Sequence, residues 1–240
     1  MSLLRVEALS KNFSGLRAVS EVSFAVEEGG ITALIGPNGA GKTTCFNLIA
    51  GALHPSSGRV VFAGEDVTGL PPEALCVRGV GRTFQIVRPM PELTVLENAM
   101  VGAFARESRM AAAKAVARDA LARVGLSAKA KMLASQLTLP DRKMLEVARA
   151  LATRPRLLLL DEVMAGLRPG EAGAIVATLR SANAAGVTIL MIEHVMRVVM
   201  ALARHIVVLH HGEKIADGTP EEVTRDPAVI RSYLGERGVA

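Results

Sequence analysis

The sequence has 240 residues, 50% of them hydrophobic and 21% charged, enough to bury the core of one large domain or of a domain with an inserted lobe. Its net charge of +5 comes from scattered lysines and arginines, and with one Tyr and no Trp it offers no stacking platform, so a nucleic-acid groove is disfavoured. The two cysteines, Cys45 and Cys76, lie far apart and suit a reducing compartment better than a disulfide framework.

The chain opens with an apolar-polar strand from Leu3 to Leu9, a turn over Lys11 to Gly15 and a second strand from Ala18 to Val26. Glu28-Gly29-Gly30 leads into Ile31 to Ile35, a short apolar run suited to a buried parallel strand. Next comes Gly36-Pro37-Asn38-Gly39-Ala40-Gly41-Lys42-Thr43, the phosphate-cradling pattern of Gly, four residues, then Gly-Lys-Ser/Thr, with a helix expected from Thr44 to Ala50. Glycines let backbone amides wrap an anion, and the helix start adds partial positive charge. Lys42 supplies a full charge for the β and γ phosphates, and Thr43 a hydroxyl ligand for Mg²⁺.

Pro55 to Gly58 breaks the chain, Arg59 to Phe62 is a strand, Ala63 to Asp66 a turn, and Pro71-Pro72 starts a short helix. These strands form an antiparallel flank on a parallel sheet. Val80 to Phe84 reads as a strand ending at Gln85, and the pattern from Leu93 to Leu126 is alanine-rich helix. That shift in composition marks an inserted helical lobe at 86–151, within one domain whose core and flank are 1–85 and 152–240. Strands at 156–160 and 187–192 enclose a helix at 171–185, which implies a parallel sheet covered on both faces. A hairpin at 206–217 and a helical tail at 220–234 complete the chain.

The most apolar region, Val187 to Leu209, is interrupted by Glu193, His194, Arg197, Arg204 and His205, short of the ~20 apolar residues of a span. Near Met1, Arg5, Glu7 and Lys11 break any signal-peptide core. A cytosolic chain that meets a membrane through a partner is expected.

Leu157 to Leu160 ends in Asp161-Glu162, a strand that delivers two acids. The first would complete an Mg²⁺ shell and the second would act as general base on the attacking water, so hydrolysis is expected in addition to binding. The lesser alternative is an N-cap acid pair starting the next helix. Gln85 is either a surface amide or a group touching Mg²⁺ or its water and a neighbouring chain. His194 is either structural or, at the carboxyl edge of the sheet, part of a ligand site. Phe13 is either an adenine platform or core filler.

Taken in order, Phe13, Gly36 to Thr43, Gln85, Leu137 to Lys143, Asp161-Glu162 and His194 resemble the nucleotide-binding subunits of ABC transporters over nearly the whole chain. The resemblance implies a P-loop NTPase (RecA-like) α/β fold with the flank and helical lobe just described. It also implies ATP and Mg²⁺, two subunits sandwiching two ATP molecules, Phe13 and Gly36 to Thr44 as the nucleotide site, and Gln85 as the sensor of the membrane subunit. His194 then becomes the γ-phosphate switch, and Thr138, Leu139, Pro140 and Asp141 the segment facing the partner's ATP. Arg82 to Gln85, Leu93 to Asn98, Ala165-Gly166-Leu167, Gly212 to Ala216 and Val229 to Gly235 resemble the ATPases of branched-chain amino acid importers. Such importers imply a second ATPase subunit in a heterodimer, a homodimer being the alternative, with permease subunits and a periplasmic binding protein at the inner membrane. Related ATPases serve urea, amide or lipopolysaccharide-related traffic; a soluble ABC ATPase acting on ribosomes or DNA would typically carry two cassettes or a long coiled insertion.

Two positions depart from the family. Leu137-Thr138-Leu139-Pro140-Asp141 stands where Leu-Ser-Gly-Gly-Gln is usual, so one glycine amide is lost, and Arg142 and Lys143 are expected to offset Asp141. Arg168 replaces an aspartate in a loop that crosses the family's dimer interface. A helix is expected from Asp141 to Ala152. Phe13, Lys42, Asp161, Glu162 and His194 are expected to make a competent half-site, while Thr138 and Pro140 offer the partner a weaker one.

Overall fold

The computed structural model describes residues 1–83 and 89–234. It begins with β1 (Ser2–Phe13), β2 (Leu16–Glu27), β3 (Ile31–Ile35), α1 (Lys42–Ile49), β4 (Ser57–Phe62), β5 (Glu65–Asp66) and α2 (Pro72–Arg78). β6 (Val80–Arg82), α3 (Val95–Ala103), α4 (Met110–Arg123), α5 (Leu139–Ala152), β7 (Leu157–Asp161) and α6 (Pro169–Ala184) follow. The chain ends with β8 (Thr188–Ile192), α7 (Met196–Leu202), β9 (His205–His210), β10 (Glu213–Gly218), α8 (Pro220–Arg225) and α9 (Pro227–Leu234). The backbone divides into two compact units, Met1–Leu75 with Thr188–Ala240, and Cys76–Val187.

In the first unit, β3 and β8 are buried along their whole length, as apolar strands covered on both faces must be. β3 runs parallel to β8 on one side and β9 on the other, and β10 closes an antiparallel hairpin on β9. The second sheet of this unit is antiparallel, in the order β2-β1-β4-β5. Its long hairpin is bulged: register shifts between Val6 and Leu9, where Ala8 takes φ 46°. The Ala8 amide donates to Ser23 Oγ at 2.8 Å and the Glu21 amide to Ser10 Oγ at 2.9 Å, so serine hydroxyls recover donors that the bulged ladder releases. α1 buries Cys45, Phe46, Leu48 and Ile49 and packs on β1, β2 and β8.

In the second unit β6 pairs in parallel with β7, and α3, α4 and α5 pack on one another. Gly102 of α3 lies so close to α5 that a Cβ there would sit 2.1 Å from the Arg149 carbonyl oxygen, which requires glycine. α5 turns Met144, Leu145, Val147, Ala148 and Leu151 inward.

The structure departs from the sequence expectations at element ends. β1 continues through Phe13, leaving only Ser14 and Gly15 for the turn, because Lys11, Asn12 and Phe13 pair with Val19, Arg17 and Leu16. Glu65-Asp66 adds a short strand to β4 where a turn was expected. The alanine-rich stretch is two helices, parted where Arg106 Nε donates to the Thr153 carbonyl at 3.2 Å and Glu107 pairs with Arg154 at 3.1 Å. α5 begins at Leu139 rather than Asp141, since Thr138 is its cap and Pro140 is tolerated in its first turn. The tail is two helices, because Pro227 holds Asp226 in extended backbone.

Candidate nucleotide-binding site

In the first unit, β3 runs out at Ile35 into a loop whose shape is fixed by close backbone approach. Gly36 has φ 148° and a Cβ there would meet the Leu209 carbonyl oxygen at 2.1 Å. Gly41 has φ 94° and its Cβ would meet the Ala18 carbonyl oxygen at 2.4 Å. Both positions exclude any other residue. The turn of the β9–β10 hairpin props the loop, with the Gly212 amide donating to Ala40 O at 3.1 Å and the Ser20 amide to Gly212 O at 2.8 Å.

Gly41 caps α1 in the left-handed conformation with no side-chain hydrogen bond, so the helix presents its first amides and its positive end without an internal anion. Lys42 is only 7% exposed, and its Nζ donates to the Gly36 and Pro37 carbonyls, each at 2.8 Å. The ammonium is therefore folded over the loop. Thr43, Asn38 and Gly39 are exposed, Pro37 and Thr44 are half-buried, and Ala40 is buried. Concentrated positive potential over a concave backbone is the chemistry of polyphosphate binding.

In the second unit, β7 delivers Asp161 at its end, 2% exposed. Its Oδ2 lies 3.5 Å from an Arg82 nitrogen, and its amide donates to Thr83 Oγ1 at 3.3 Å. Oδ1 is buried and accepts no hydrogen bond among the described residues. Burial pushes the Asp161 carboxyl above its usual range; the Arg82 charge opposes this and the Glu162 charge adds to it. A buried carboxylate oxygen without a hydrogen bond among the described residues suits a hard divalent cation. Among the described residues no group of three or more His, Cys, Asp or Glu side chains could hold a metal. Glu162 adopts left-handed φ 47°, a strained conformation for a non-glycine residue.

The remaining expected residues fall as follows. Phe13 is 41% exposed at the end of β1 with Lys11 Nζ 5.2 Å from its ring centroid, so it is not core filler. His194 is exposed in the loop between β8 and α7. Gln85 lies outside the described residues. Thr138 caps α5, and its hydroxyl donates to Asp141 Oδ2 at 2.7 Å while accepting from the Asp141 amide at 3.4 Å. Leu139 is exposed and Pro140 half-buried beside it.

The expected offset of Asp141 by Arg142 and Lys143 is not what the structure holds. Arg142 donates to the Ser135 carbonyl at 3.1 Å and Lys143 lies by the Glu162 carbonyl, whereas Lys129 meets Asp141 Oδ2 at 2.5 Å. Sequence reading missed Lys129 because its partner is distant in the chain, and missed Arg82 because nothing in a strand residue announces a carboxylate across the ladder. Arg168 caps α6 and pairs with Glu171 at 2.7 Å.

A model of the ABC transporter family matches residues 19–165, from β2 through the phosphate loop to both acids. The chain belongs to the ABC transporter family. A second model, described as branched-chain amino acid ATP-binding cassette transporter, matches residues 213–239 of the cassette. The cassette is 42% identical to the high-affinity branched-chain amino acid transport ATP-binding protein BraF of Pseudomonas aeruginosa, over 98% of each chain. It is 41% identical to the corresponding protein LivG of Escherichia coli strain K12, again over 98% of each. Among solved structures, a nucleotide-free ATP-binding cassette from an ABC transporter superposes with a TM-score of 0.89 at 34% identity, covering 98% of this chain and all of that one. The ADP conformation of an ABC transporter cassette gives 0.89 at 36% identity with the same coverage. The expected P-loop fold and the expected ATPase class both stand.

Proposed function

We propose that this ABC ATPase powers the import of branched-chain or related amino acids, acting at the cytoplasmic face of the cell inner membrane. No described helix is long and apolar enough to cross a membrane, which suits a peripheral subunit working with separate permeases. It pairs with a second ATPase subunit, a heterodimer being favoured over a homodimer by the kind of importer it resembles, and a periplasmic binding protein serves the assembly indirectly. The cargo reading is supported by the match of residues 213–239 and by the names of the relatives.

One observation carries the chemistry: a buried carboxylate with an oxygen that makes no hydrogen bond among the described residues, followed at once by a glutamate in a strained backbone. In this reading Gly36 to Thr44 bind the phosphates of ATP, with Lys42 countering their charge and Phe13 stacking on adenine. Thr43 and Asp161, with Gln85, hold Mg²⁺, which when bound neutralises phosphate charge as the leaving group departs. Glu162 accepts a proton from the attacking water and His194 contacts the γ-phosphate. Thr138, Leu139, Pro140 and Asp141 face the partner's nucleotide. The chain forms one nucleotide-binding domain whose helical lobe is 86–151.

The test is purification of the tagged chain from its native membranes, followed by ATPase measurement of the recovered complex in liposomes. Permeases in the eluate and turnover stimulated by a binding protein loaded with leucine, isoleucine or valine are expected. Stimulation by urea or amides instead would move the cargo, and ribosomal proteins or DNA in the eluate would overturn the transport reading.

A further inference from the structure

Lys143 is a cation that the chemistry above leaves without a task. It sits in the second turn of α5 and is 5% exposed, a burial that an ammonium tolerates only beside compensating groups. Its Nζ lies 3.5 Å from the main-chain carbonyl oxygen of Glu162, and its charge is felt by the Asp161 carboxylate. The contact thus falls on the one residue of the acid pair whose backbone is strained: Glu162 at φ 47°. A left-handed glutamate costs energy and persists only where its surroundings hold it. The Ala165 amide donates to the Glu162 carbonyl at 3.0 Å, so that oxygen serves both the following turn and the α5 lysine.

The same helix carries, at its other functional position, the Thr138 cap that opens the segment facing the partner's nucleotide in the proposed assembly. A shift of α5 along or about its axis therefore moves Thr138 and Lys143 together, and with Lys143 the carbonyl it contacts. We propose that Lys143 is a positioning residue that holds the Glu162 backbone in its left-handed conformation, and so ties the placement of the base to the placement of α5. The inference rests on the reading of Glu162 as the base, and the test keeps the two separable.

The experiment uses the complex purified on the tagged chain and measures steady-state ATP hydrolysis, nucleotide affinity and thermal stability for four variants. Lys143→Met, which keeps the buried stem and removes the donor, is expected to lower kcat by about 10- to 100-fold while KM for ATP stays within about twofold, the pattern of a displaced catalytic group. Lys143→Gln restores a neutral donor to the same carbonyl and is expected to recover most of the lost rate, which a purely structural role would not produce. Glu162→Gln is expected to lower turnover by about 10²- to 10⁴-fold with nucleotide binding kept. Double replacement at 143 and 162 is expected to be no slower than Glu162→Gln alone, since the lysine acts only through the base. A Lys143→Met complex that turns over at the parental rate would overturn the proposal, as would a rate loss that Lys143→Gln fails to relieve or that follows a matching drop in melting temperature. If Glu162→Gln kept its rate, the base assignment itself would fall, whatever the lysine variants did.

Discussion

The Lys129 ammonium meets the Asp141 carboxylate at 2.5 Å and shares its Oδ2 with the Thr138 hydroxyl, so two donors close on one oxygen at the start of α5. Burial pushes the Asp141 carboxyl up, but the Lys129 and Thr138 hydrogen bonds and the Lys129 charge outweigh it and hold the group below its ordinary value of 3.8. A depressed folded value stabilises the native state in full above the unfolded value, and that contribution is lost as pH falls through the folded one. Lys129→Met is therefore expected to melt about 1–3 °C below the parent at pH 7, the size of one partly screened ion pair. The gap should begin to narrow below about pH 4 and close as pH falls through the lower folded value. Parallel thermal melts from pH 3 to 8 decide it; a gap independent of pH would assign the loss to packing of the lysine stem.

The phosphate loop and the acid pair are expected to fail in different ways. Lys42→Ala removes the charge folded over the loop and should weaken ATP binding by at least about 100-fold, measured with a fluorescent ATP analogue. Glu162→Gln should bind the analogue as the parent does and lose about 10²- to 10⁴-fold in turnover. Loss of both properties in both variants would mean that folding, not chemistry, had been disturbed.

Phe13 offers an exposed face in a chain with one Tyr and no Trp. Phe13→Ala is expected to weaken ATP by about tenfold, as lost base stacking does, and to leave inorganic tripolyphosphate affinity unchanged. Phe13→Trp supplies the only tryptophan, and its emission should change on adding ATP but not tripolyphosphate. An equal response to both ligands would remove the aromatic from adenine recognition.

Thiol chemistry gives a check on α1. Cys45 is fully buried in that helix, which pushes its thiol up to about 12, whereas Cys76 is half-exposed. Native protein should react with a chromogenic disulfide at Cys76 alone, and at both cysteines once denatured. Fast labelling of Cys45 in the native state would show that the loop helix opens readily.

Several features were readable from residue order because they depend on neighbours in the chain. Gly36 to Thr43 between an apolar strand and a helix, and Leu157 to Glu162 as a strand ending in acids, are local patterns and were located correctly. The stop at Pro227 is equally local, and it divides a tail whose residue pattern alone predicts one helix. The break between α3 and α4 had no such marker: no proline or glycine parts them, and it is held by contacts from Arg106 and Glu107 to Thr153 and Arg154. Likewise Arg82 beside Asp161 and Lys129 beside Asp141 are charge pairs made by folding. Proximity in sequence led instead to Arg142 and Lys143, which the helix turns toward Ser135 and Glu162.

The hairpin turn at Gly212 has a consequence for any exchange of C-terminal segments. The segment matched by the branched-chain amino acid model begins at residue 213, immediately beyond the backbone that hydrogen-bonds Ala40. The segment that carries the branched-chain match is thus joined directly to the turn that braces the phosphate loop. Exchanging C-terminal segments between relatives would not be a neutral splice: a junction placed before Gly212 replaces the brace together with the graft, and one placed after it leaves the phosphate cradle its native support.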